Sequence, residues 1–543
     1  MKHLIKLLDC TLRDGAYITD SHFGDAAIGG IIKKMQDACI DIIECGWLKD
    51  NDYIRGTTYF HVPDDVRQYI KNKSANALYS VMIDWDRYNV DCLPQCDGKT
   101  IDAIRVVFPN GRYREGIEVG KRIRDKGYQV MLQAANTLAY SDDELIDLAE
   151  CVNIFHPVSL SIVDTFGAMF FDDIERIAHI LDDRLHNDIE LGFHAHNNQQ
   201  LAFALCIRFV EIMEKSDRNI ILDATLSGMG RGAGNATTEL VAGYLDRKLH
   251  GNYDMNAIMD AIDTYMQGFH EKYTWGYSTP YFIAGMYQCH VNNIAYLLKN
   301  HRTNASDMRN IIASLSEEER RHYDYDLLEK KYMENQNRMV DDERAMSLLE
   351  SSMRNRKVLL IAPGKRTDIE KDKILKFIDK KLPIVIDVNA VNPHYNADYL
   401  FFINTVRYEY AKEVYNEQFS SIPKILLSNI KTDGEDDEYI VNFDYVVKQG
   451  WVHFDNAVIN CLRLLNKLGV KEVYIAGFDE FGDHYNESYA DKSLPTINPD
   501  NRWHELNNEI ADMYEDFYYS VKGVMDITFL TESIFDLEHN LKE

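Results

Sequence analysis

Short apolar runs recur along residues 1–228, and longer stretches with apolar residues at helical spacing separate them. In the stretches GDAAIGGIIKKMQDACI and SDDELIDLAECVNIF, for example, apolar residues recur three and four positions apart, as they do in an amphipathic helix. Eight strands that alternate with helices predict a parallel α/β sheet, and the number eight favours a closed (β/α)8 TIM barrel over an open sheet. The predicted strands are KLLDCTL (6–12), IDIIECGW (40–47), ALYSVMID (77–84), AIRVVFP (103–109), QVMLQAA (129–135), PVSLSIVD (157–164), IELGFHAH (189–196) and IILDATLS (220–227).

The pattern changes after the eighth run. From about 250 to 350 it becomes helical and increasingly charged, which predicts a helical extension followed by a connector. A second alternation of strand, glycine-containing turn and helix begins with KVLLIAPGKR and continues through PIVIDVNA, ADYLFFINT, KILLSNI, YIVNFDYV and KEVYIAGFDEFG. We therefore predict a barrel domain over 1–250, the helical extension over 251–354 and an open, Rossmann-like α/β domain over 355–543.

Length and composition fit this division. A chain of 543 residues exceeds the size of a single hydrophobic core, so at least two domains are expected. Hydrophobic residues make up 45% of the chain, but no apolar run is long enough to span a bilayer. The beginning, MKHLIKLLDCTLRDG, has the pattern of a first strand rather than of a signal peptide, so we expect a cytoplasmic protein.

Charge and cysteine content exclude further classes. The formal charge of -28 would repel a phosphate backbone, and no basic patch is visible, so nucleic acid is not an expected partner. The nine cysteines are spread along the chain, which favours reduced thiols over a disulfide framework. Cys92 and Cys96 form one close pair, but no second pair completes a structural zinc site.

Polar residues follow most of the predicted barrel strands. The active face of such a barrel lies at the carboxyl ends of its strands, so these side chains are expected to converge on one site. They are Arg13, Asp14, Glu44, Asp84, Arg105, Asp164, Thr165, His194 and His196.

His194 and His196 stand at positions i and i+2 of a strand, so both imidazoles point to the same side and can reach one ion. An H-x-H pair alone is an ordinary polar strand end, and the nearby carboxylate of Asp14 is what favours a metal site. Two imidazoles and one carboxylate leave coordination positions open, which suits Mn²⁺ or Mg²⁺ with a chelating 2-oxo acid better than Zn²⁺ or Co²⁺.

Four motifs, DCTLRDG, IVDTFGAM, LGFHAHNN and DATLSGMGRGAGNATTELV, occur in this order at predicted strand ends. Over about residues 4–300 the chain resembles the DRE-TIM (HMGL-like) metallolyases, a superfamily that contains 4-hydroxy-2-oxovalerate aldolase, 3-hydroxy-3-methylglutaryl-CoA lyase and isopropylmalate synthase. The resemblance is closest to the first of these. It implies that Asp14, His194 and His196 bind a divalent metal, that Arg13 stabilises an enolate, and that Asn235 lies near the metal. Glycines of the GMGRGAGN loop could let its backbone approach a bound anion.

The chain departs from this pattern at Tyr17, where the hydroxy-oxovalerate aldolases have a histidine that acts as general base. A phenol is a poorer base at neutral pH, so the identity of the acid or base is left open. Tyr277 resembles a tyrosine that serves some of these aldolases, although its aromatic neighbours are equally typical of helix packing. We expect Glu44, Gln133 and Asp164 to form hydrogen bonds around the substrate.

The second domain offers its own candidates. VLLIAPGKR places Lys365 at a strand-to-helix turn that could hold a phosphate, or that is a simple turn. Asn404, Arg407, Asp479 and Asp483 follow other predicted strands. The pattern resembles Rossmann-like transferase domains that bind nucleotide-linked substrates, which implies a neighbouring step in one pathway, such as the synthesis of a surface sugar.

Three hypotheses follow from the sequence. The leading one is a metal-dependent aldolase that joins or separates a pyruvate-type 2-oxo acid and an aldehyde. The second is an acyl-CoA condensing synthase of the isopropylmalate synthase type, and the third is a barrel without catalysis that supports the second domain. By resemblance we expect a homodimer, with small molecules as substrates and neither nucleic acid nor membrane as partner.

Overall fold

The computed structural model describes residues 4–432, 437–496 and 502–537. The chain folds as two units, one comprising Met1–Val291 with Arg320–His322 and the other Asn292–Glu319 with Tyr323–Glu543. The functional segments predicted above, 1–250, 251–354 and 355–543, stay predictions.

All eight apolar runs form strands of one parallel sheet. The sheet closes on itself because β1 pairs with β2 on one side and with β9 on the other, in registers such as Leu8 with Ile42 and Leu7 with Leu222. The two-residue strand β3 pairs in parallel with the end of β2, at Trp47 and Leu48. The strands are β1 (Ile5–Asp9), β2 (Ile42–Leu48), β3 (Tyr59–Phe60), β4 (Leu78–Asp84), β5 (Ala103–Phe108), β6 (Gln129–Ala134), β7 (Ser159–Asp164), β8 (Glu190–Ala195) and β9 (Ile220–Ala224).

Helices cover the outside of the barrel with one apolar face each. In Asp142–Phe155, for example, Leu145, Leu148 and Val152 recur at helical spacing and are buried, while Ser141 and Glu144 form a capping box at the start. Both stretches quoted above as helical are helices. The helices of the barrel are Asp25–Asp37, Tyr113–Asp125, Asp142–Phe155, Phe171–Arg184, Ala202–Met213 and Thr238–Leu249.

A helical stretch follows, as the charge pattern predicted. Its helices are Met255–Ala261, Ile262–Met266 (a π-helical turn), Gln267–His270, Thr279–Met286, Val291–Asn300, Ala305–Ala313, Glu317–Arg321, Tyr325–Gln336 and Glu343–Met353.

The second unit contains an open, fully parallel sheet in the order β14-β13-β12-β11-β10-β15-β16. The chain order reverses at β10, which lies between β11 and β15, so the sheet is doubly wound. The strands are β10 (Lys357–Ile361), β11 (Ile384–Val388), β12 (Tyr399–Phe402), β13 (Lys424–Leu427), β14 (Glu438–Val441), β15 (Glu472–Ala476) and β16 (Asp526–Phe529), and the helices are Arg366–Ile369, Lys371–Lys381, Thr405–Val414, Asn416–Ser421, Ala457–Lys467 and Trp503–Val521.

The predicted fold class, a (β/α)8 barrel followed by a second α/β domain, is confirmed. None of the described helices combines the length and the apolar character that a membrane crossing requires. All nine cysteines are free thiols, as their spacing predicted.

Polar residues replace aliphatic ones in the interior of the barrel near its carboxyl end. Arg105 donates from Nη1 to Glu44 Oε2 at 2.8 Å and from Nη2 to Gln133 Oε1 at 2.9 Å, and it also pairs with Asp223. The Gln133 amide donates in turn to Ser161 Oγ at 3.0 Å. This buried network forms the floor on which the candidate site is built.

Candidate active site and metal centre

Three predicted metal ligands come together at the carboxyl end of the barrel. Asp14 lies in the helical turn Thr11–Asp14 directly after β1, while His194 belongs to β8 and His196 follows it. The ligand atoms of these three residues all lie within 4.8 Å of one another, and the two imidazole rings are nearly perpendicular, at 88°. The structure therefore brings together the side chains that the sequence placed on separate strand ends.

Both histidines are oriented by a hydrogen bond from Nδ1. His194 Nδ1 donates to Asp223 Oδ2 at 3.1 Å, and His196 Nδ1 donates to the carbonyl oxygen of Asp164 at 3.0 Å. These contacts fix the tautomer and leave both Nε2 atoms as acceptors on the ligand side, which is the usual arrangement behind metal-binding histidines. His194 Nε2 is buried and has no hydrogen-bond partner, and His196 Nε2 lies 3.7 Å from Asp14 Oδ2.

The protonation states also suit a cation. Burial lowers the pKa of His196 to about 4, so the imidazole is neutral at neutral pH. Burial alone would raise the pKa of Asp14, but Arg13 and the two histidines bring it well below its ordinary value. His194 offers a buried lone pair that accepts no hydrogen bond, His196 is a neutral imidazole and Asp14 is a carboxylate. Together they are the kind of ligands that a divalent metal ion requires.

The balance of buried charge points the same way. The carboxylates of Asp14, Glu44 and Asp223 face the two guanidinium groups of Arg13 and Arg105. All five residues are at most 4% exposed. Among these five buried groups the negative charges exceed the positive ones by one, and a divalent cation beside Asp14 would offset that excess. The residues present therefore fit a bound metal.

The glycine-rich loop after β9 closes around Asp14. Asn235 Nδ2 donates to Asp14 Oδ2 and to the carbonyl oxygen of Met229, so Asn235 lies beside the predicted ligand. A Cβ on Gly230 would lie 2.1 Å from Asn235 Nδ2 and 2.4 Å from Asp14 Oδ2, so only glycine fits there. Gly234 has φ +85°, a conformation that L-residues rarely adopt. Anion binding by this loop stays a prediction.

Arg13 is held rigidly at the edge of the site. Its Nε donates to Glu44 Oε2 at 2.8 Å, its Nη1 donates to Asp14 Oδ1, and its carbonyl oxygen accepts a bond from the Trp47 indole at 3.0 Å. A bulge in β2 contributes to this arrangement, because the register with β4 shifts between Glu44 and Trp47. Gly46 occupies the bulge with φ +150°, where a Cβ would lie 2.3 Å from the carbonyl oxygen of Thr58.

A cavity opens above the three candidate ligands. Arg13, Tyr17 and Gln133, which the sequence singled out as site residues, belong to its lining, and so do other residues that the sequence did not single out. Its lining consists of Arg13, Asp14, Tyr17, Trp47, Met82, Asp84, Val107, Gln133, Ala135, Val163, Thr165, Phe166, His194, His196, Asn198, Arg231, His290 and Val291.

Tyr17 is packed between an aromatic ring and a cation. Its ring lies edge-on to Trp47 at 6.0 Å, and the Arg231 guanidinium lies 5.0 Å from its centroid. Tyr17 is 44% exposed, but desolvation of its phenol group raises the pKa of Tyr17 above its ordinary value, although Arg231 opposes the shift. A neutral phenol donates hydrogen bonds but is a weak base.

Other predicted site residues lie farther from the cavity. The carboxylate of Asp164 accepts bonds from the backbone N–H groups of Ala168 and Met169 at 2.9 and 3.1 Å, so it shapes a loop, and burial raises its pKa to about 7. Tyr277 is 63% exposed and is absent from the cavity lining. Its catalytic role stays a prediction that its position does not favour.

Sequence reasoning missed three contributors. Asp223, which orients His194, is the fourth of the five residues of β9, and the single acid in the apolar run IILDA was the available signal. Arg231 and His290 contact each other across the cavity rim, at 3.2 Å between Nη2 and Nε2. Burial lowers the pKa of His290 to about 3. These two residues come from loops, where spacing carries no signal.

In the second unit, Asn404, Arg407 and Asp479 line one cavity together. Lys365 is exposed, is absent from that lining, and precedes a helix of four residues, Arg366–Ile369. Asp483 is also exposed.

Comparisons with known proteins fit the site. The HMGL-like family model matches residues 113–264. A 4-hydroxy-2-oxovalerate aldolase of Thermomicrobium roseum is 43% identical over 265 residues, which are 48% of this chain and 71% of that protein. An oxaloacetate decarboxylase of Mycobacterium tuberculosis is 26% identical over 273 residues, which are 48% of this chain and 76% of that protein.

Among solved structures, an HMG-CoA lyase of Bacillus subtilis is similar with a TM-score of 0.40 and 16% identity, covering 50% of this chain and 94% of that one. The aldolase match, at 43% identity over 71% of the relative, is the one that decides the family. The chain therefore belongs to the HMGL-like family of the DRE-TIM superfamily of metal-dependent lyases.

Proposed function

We propose that this protein is a divalent-metal-dependent aldolase that forms or cleaves a carbon–carbon bond between a pyruvate-type 2-oxo acid and an aldehyde. The main support is that Asp14, His194 and His196 converge on one point at the floor of the cavity that Arg13 also lines. The relatives named as aldolases support the same reaction class.

Asp14, His194 and His196 would hold the metal, and Asn235 and Asp223 would support them. The carboxylate and the open side toward the cavity favour Mn²⁺ or Mg²⁺ over Zn²⁺ or Co²⁺. When bound, such an ion supplies Lewis-acid stabilisation of the negative charge that develops on the keto oxygen of the 2-oxo acid.

Arg13 contributes the second stabilising charge. Its Nε and Nη1 groups are engaged by Glu44 and Asp14, so the guanidinium plane is fixed, while Nη2 forms no hydrogen bond with the described residues. A fixed N–H donor beside the keto oxygen stabilises an enolate without any reorganisation during the reaction. Its side chain is 5% exposed, which strengthens this interaction because little water competes.

Tyr17 takes a different role from the histidine base of the hydroxy-oxovalerate aldolases. Because its pKa is raised, it donates a hydrogen bond to the aldehyde oxygen rather than accepting a proton. Arg231 would hold the phenol in place through its contact with the ring. In this arrangement Tyr17 positions the aldehyde oxygen, and the hydroxyl proton released in aldol cleavage would pass to water in the cavity.

The same observation favours a second candidate, decarboxylation of oxaloacetate. Cleavage of an aldol requires a base for the hydroxyl proton, whereas loss of CO₂ from oxaloacetate yields the pyruvate enolate without such a base. The weakly basic phenol at position 17 therefore suits a decarboxylase, and one relative is named as an oxaloacetate decarboxylase. Both reactions pass through the same enolate between the same residues.

The first experiment measures solvent deuterium exchange into the methyl group of pyruvate by ¹H NMR, with Mn²⁺ or Mg²⁺ added. We expect the methyl signal to disappear in the presence of enzyme and metal, and to persist with a chelator or with the His196→Ala variant. Persistence of the signal with the metal-loaded wild-type protein would refute pyruvate enolisation. Release of CO₂ from oxaloacetate, against turnover of aldehydes with pyruvate, then separates the two candidates.

Finer features of the proposal follow from the sequence alone. We propose that the aldehyde is a sugar derivative used in surface-sugar synthesis, and that the protein acts as a cytoplasmic homodimer. If CoA were released from acetyl-CoA and a 2-oxo acid, the condensing synthase would replace the aldolase. If the protein neither bound a metal ion nor enolised pyruvate, the third hypothesis, a barrel without catalysis that supports the second domain, would remain.

A further inference from the structure

A second cavity lies at the carboxyl edge of the open sheet in the second unit. Its walls include Pro363 after β10, Asn389 after β11, Asn404 after β12 and Asp479 after β15. The strand order reverses between β10 and β15, and in open parallel sheets the crevice at such a reversal is the general place for ligands. The cavity is therefore where this fold offers a binding site.

The crevice is built by close approach of two backbone turns. A Cβ on Gly364 would lie 2.3 Å from the carbonyl oxygen of Gly477 and 2.5 Å from Asp479 Cγ. Gly477 has φ +72°, and a Cβ there would lie 2.4 Å from Thr367 Cγ2. The turns after β10 and β15 can therefore come together only because both positions are glycine.

Positive electrostatic potential converges on one side of the cavity. Helices Thr405–Val414 and Ala457–Lys467 both begin at its wall, where Asn404 and Asn456 cap them by accepting backbone bonds from Arg407 and Ile459. The remaining N–H groups of a helix's first turn favour an anion. Two helix starts at one cavity reinforce each other.

Arg407 adds a buried guanidinium, one nitrogen of which has no acceptor. The residue lines the cavity, is 6% exposed, and its Nη1 atom is buried without a hydrogen-bond partner. The guanidinium lies 4.7 Å from the centre of the Tyr489 ring. The neighbouring Arg302 is paired with Asp455 at 3.1 Å, so Asp455 is neutralised by another residue. An anion in the cavity would supply the missing acceptor.

Asp479, in contrast, has an oxygen that lacks a hydrogen-bond donor. Its Oδ2 accepts a bond from the backbone N–H of Arg366 at 2.8 Å, whereas its buried Oδ1 accepts none and lies 3.9 Å from Arg366 Nη1. A hydroxyl group of a ligand would satisfy this oxygen. Aromatic rings of Phe478 and Phe481 add an apolar surface to the same lining.

We propose that this cavity binds a nucleoside diphosphate, with its phosphates against Arg407 and the two helix starts, a ribose hydroxyl on Asp479 Oδ1 and the base against the aromatic side chains. The anion acceptor, the hydroxyl acceptor and the aromatic surface match the three parts of such a ligand. The site belongs wholly to the second unit, so this inference is independent of the barrel chemistry.

The test is calorimetric titration of the full chain with UDP, ADP, GDP and CDP, in buffer containing Mg²⁺. Pyrophosphate and the four nucleosides serve as partial ligands. Arg407→Gln removes the guanidinium charge, and Arg354→Gln, an exposed arginine of the same unit, is the matched control. Thermal unfolding checks that each variant is folded, and Arg407→Lys replaces Arg407→Gln if the latter does not fold.

We expect at least one nucleoside diphosphate to bind with one site per chain, and more tightly than pyrophosphate or its nucleoside. Arg407→Gln should weaken that binding about tenfold or more, because it removes a charge-assisted hydrogen bond. Arg354→Gln and His196→Ala should leave it unchanged. Absence of binding by all four nucleotides, equal affinity for pyrophosphate, or unchanged nucleotide affinity in the folded Arg407 variant would each overturn the proposal.

Discussion

Replacement of Asp223 by Asn tests whether the barrel positions its metal ligands from behind. Asp223 is fully buried, accepts the Nδ1 proton of His194 at 3.1 Å and pairs with Arg105. Burial alone would raise the pKa of Asp223, but Arg105 and His194 lower it below its ordinary value, so the group is a carboxylate at neutral pH. Asn has the same shape and can still accept the hydrogen bond, but it lacks the negative charge that makes the imidazole a stronger ligand.

The magnitude follows from the remaining contacts. Loss of such a supporting carboxylate weakens metal binding about 10- to 100-fold, which is roughly 1.4–2.7 kcal/mol. Removal of one partner from a buried ion pair costs about 3–5 kcal/mol of unfolding free energy. Arg105 keeps Glu44 at 2.8 Å and Gln133 at 2.9 Å, so we expect a smaller loss, about 1–3 kcal/mol.

The assay is Mn²⁺ titration with a competing chelator, alongside urea unfolding of each protein. Asp182→Asn is the matched control. Asp182 Oδ1 accepts a hydrogen bond at 2.7 Å from another buried arginine, Arg218, which lies just before β9 and does not line the cavity. We expect that control to lower stability without changing metal affinity. A Mn²⁺ affinity of Asp223→Asn within about threefold of wild type would refute the reasoning, given the effect usual for such partners.

Three further substitutions test other parts of the site. Arg13→Gln should slow pyruvate deuterium exchange about 10²- to 10³-fold, because an oxyanion-stabilising donor is lost, while Mn²⁺ still binds; an unchanged exchange rate would contradict this. Gly230→Ala should weaken Mn²⁺ binding about tenfold or more, since its Cβ would lie 2.4 Å from Asp14 Oδ2. Gly268→Ala, with no atom within 4 Å of its Cβ, is the control that should bind normally. Tyr17→Phe keeps the ring and removes the hydroxyl, so aldol turnover should fall about tenfold or more while pyruvate deuterium exchange persists. If kinetic assays show that both activities fall in parallel, Tyr17 acts in enolisation instead.

The barrel was predictable from the sequence because its strands are buried on both faces. All seven residues of β2 are buried, for example, so the strand is an apolar run that only Glu44 interrupts. The first run illustrates the limit, since KLLDCTL extends beyond β1 (Ile5–Asp9) into the helical turn Thr11–Asp14. Thr11 and Leu12 are buried there as well, so apolar character alone does not mark the boundary.

The second sheet shows where such patterns fail. The strands from β10 to β15 coincide with predicted runs, whereas β16 (Asp526–Phe529) was missed. Within it Asp526 and Thr528 are exposed and only Ile527 is buried, because β16 is the edge of the sheet. Four residues with one buried member give no periodic signal.

The sequence predicts the role of a site residue where that role follows from its position at a strand end. It does not predict the role where a contact with another residue determines it. Asp14, His194 and His196 stand at strand ends, so their convergence followed from the barrel. Asp164 stands at a strand end too, but its carboxylate binds backbone N–H groups of its own loop. Likewise, only the packing shows that Tyr17 lies below Arg231 and has a raised pKa.

The central claim is that Asp14, His194 and His196 hold one divalent ion. It is tested most directly by Mn²⁺ titration of wild type and His196→Ala, followed by the electron paramagnetic resonance signal of free Mn²⁺. His186→Ala is the control, since His186 belongs to an exposed group with His156 and Asp188 that could also attract an ion. We predict one tightly bound ion per chain in wild type and His186→Ala, and none in a folded His196→Ala protein. Equal stoichiometry and affinity in His196→Ala and wild type would contradict the account.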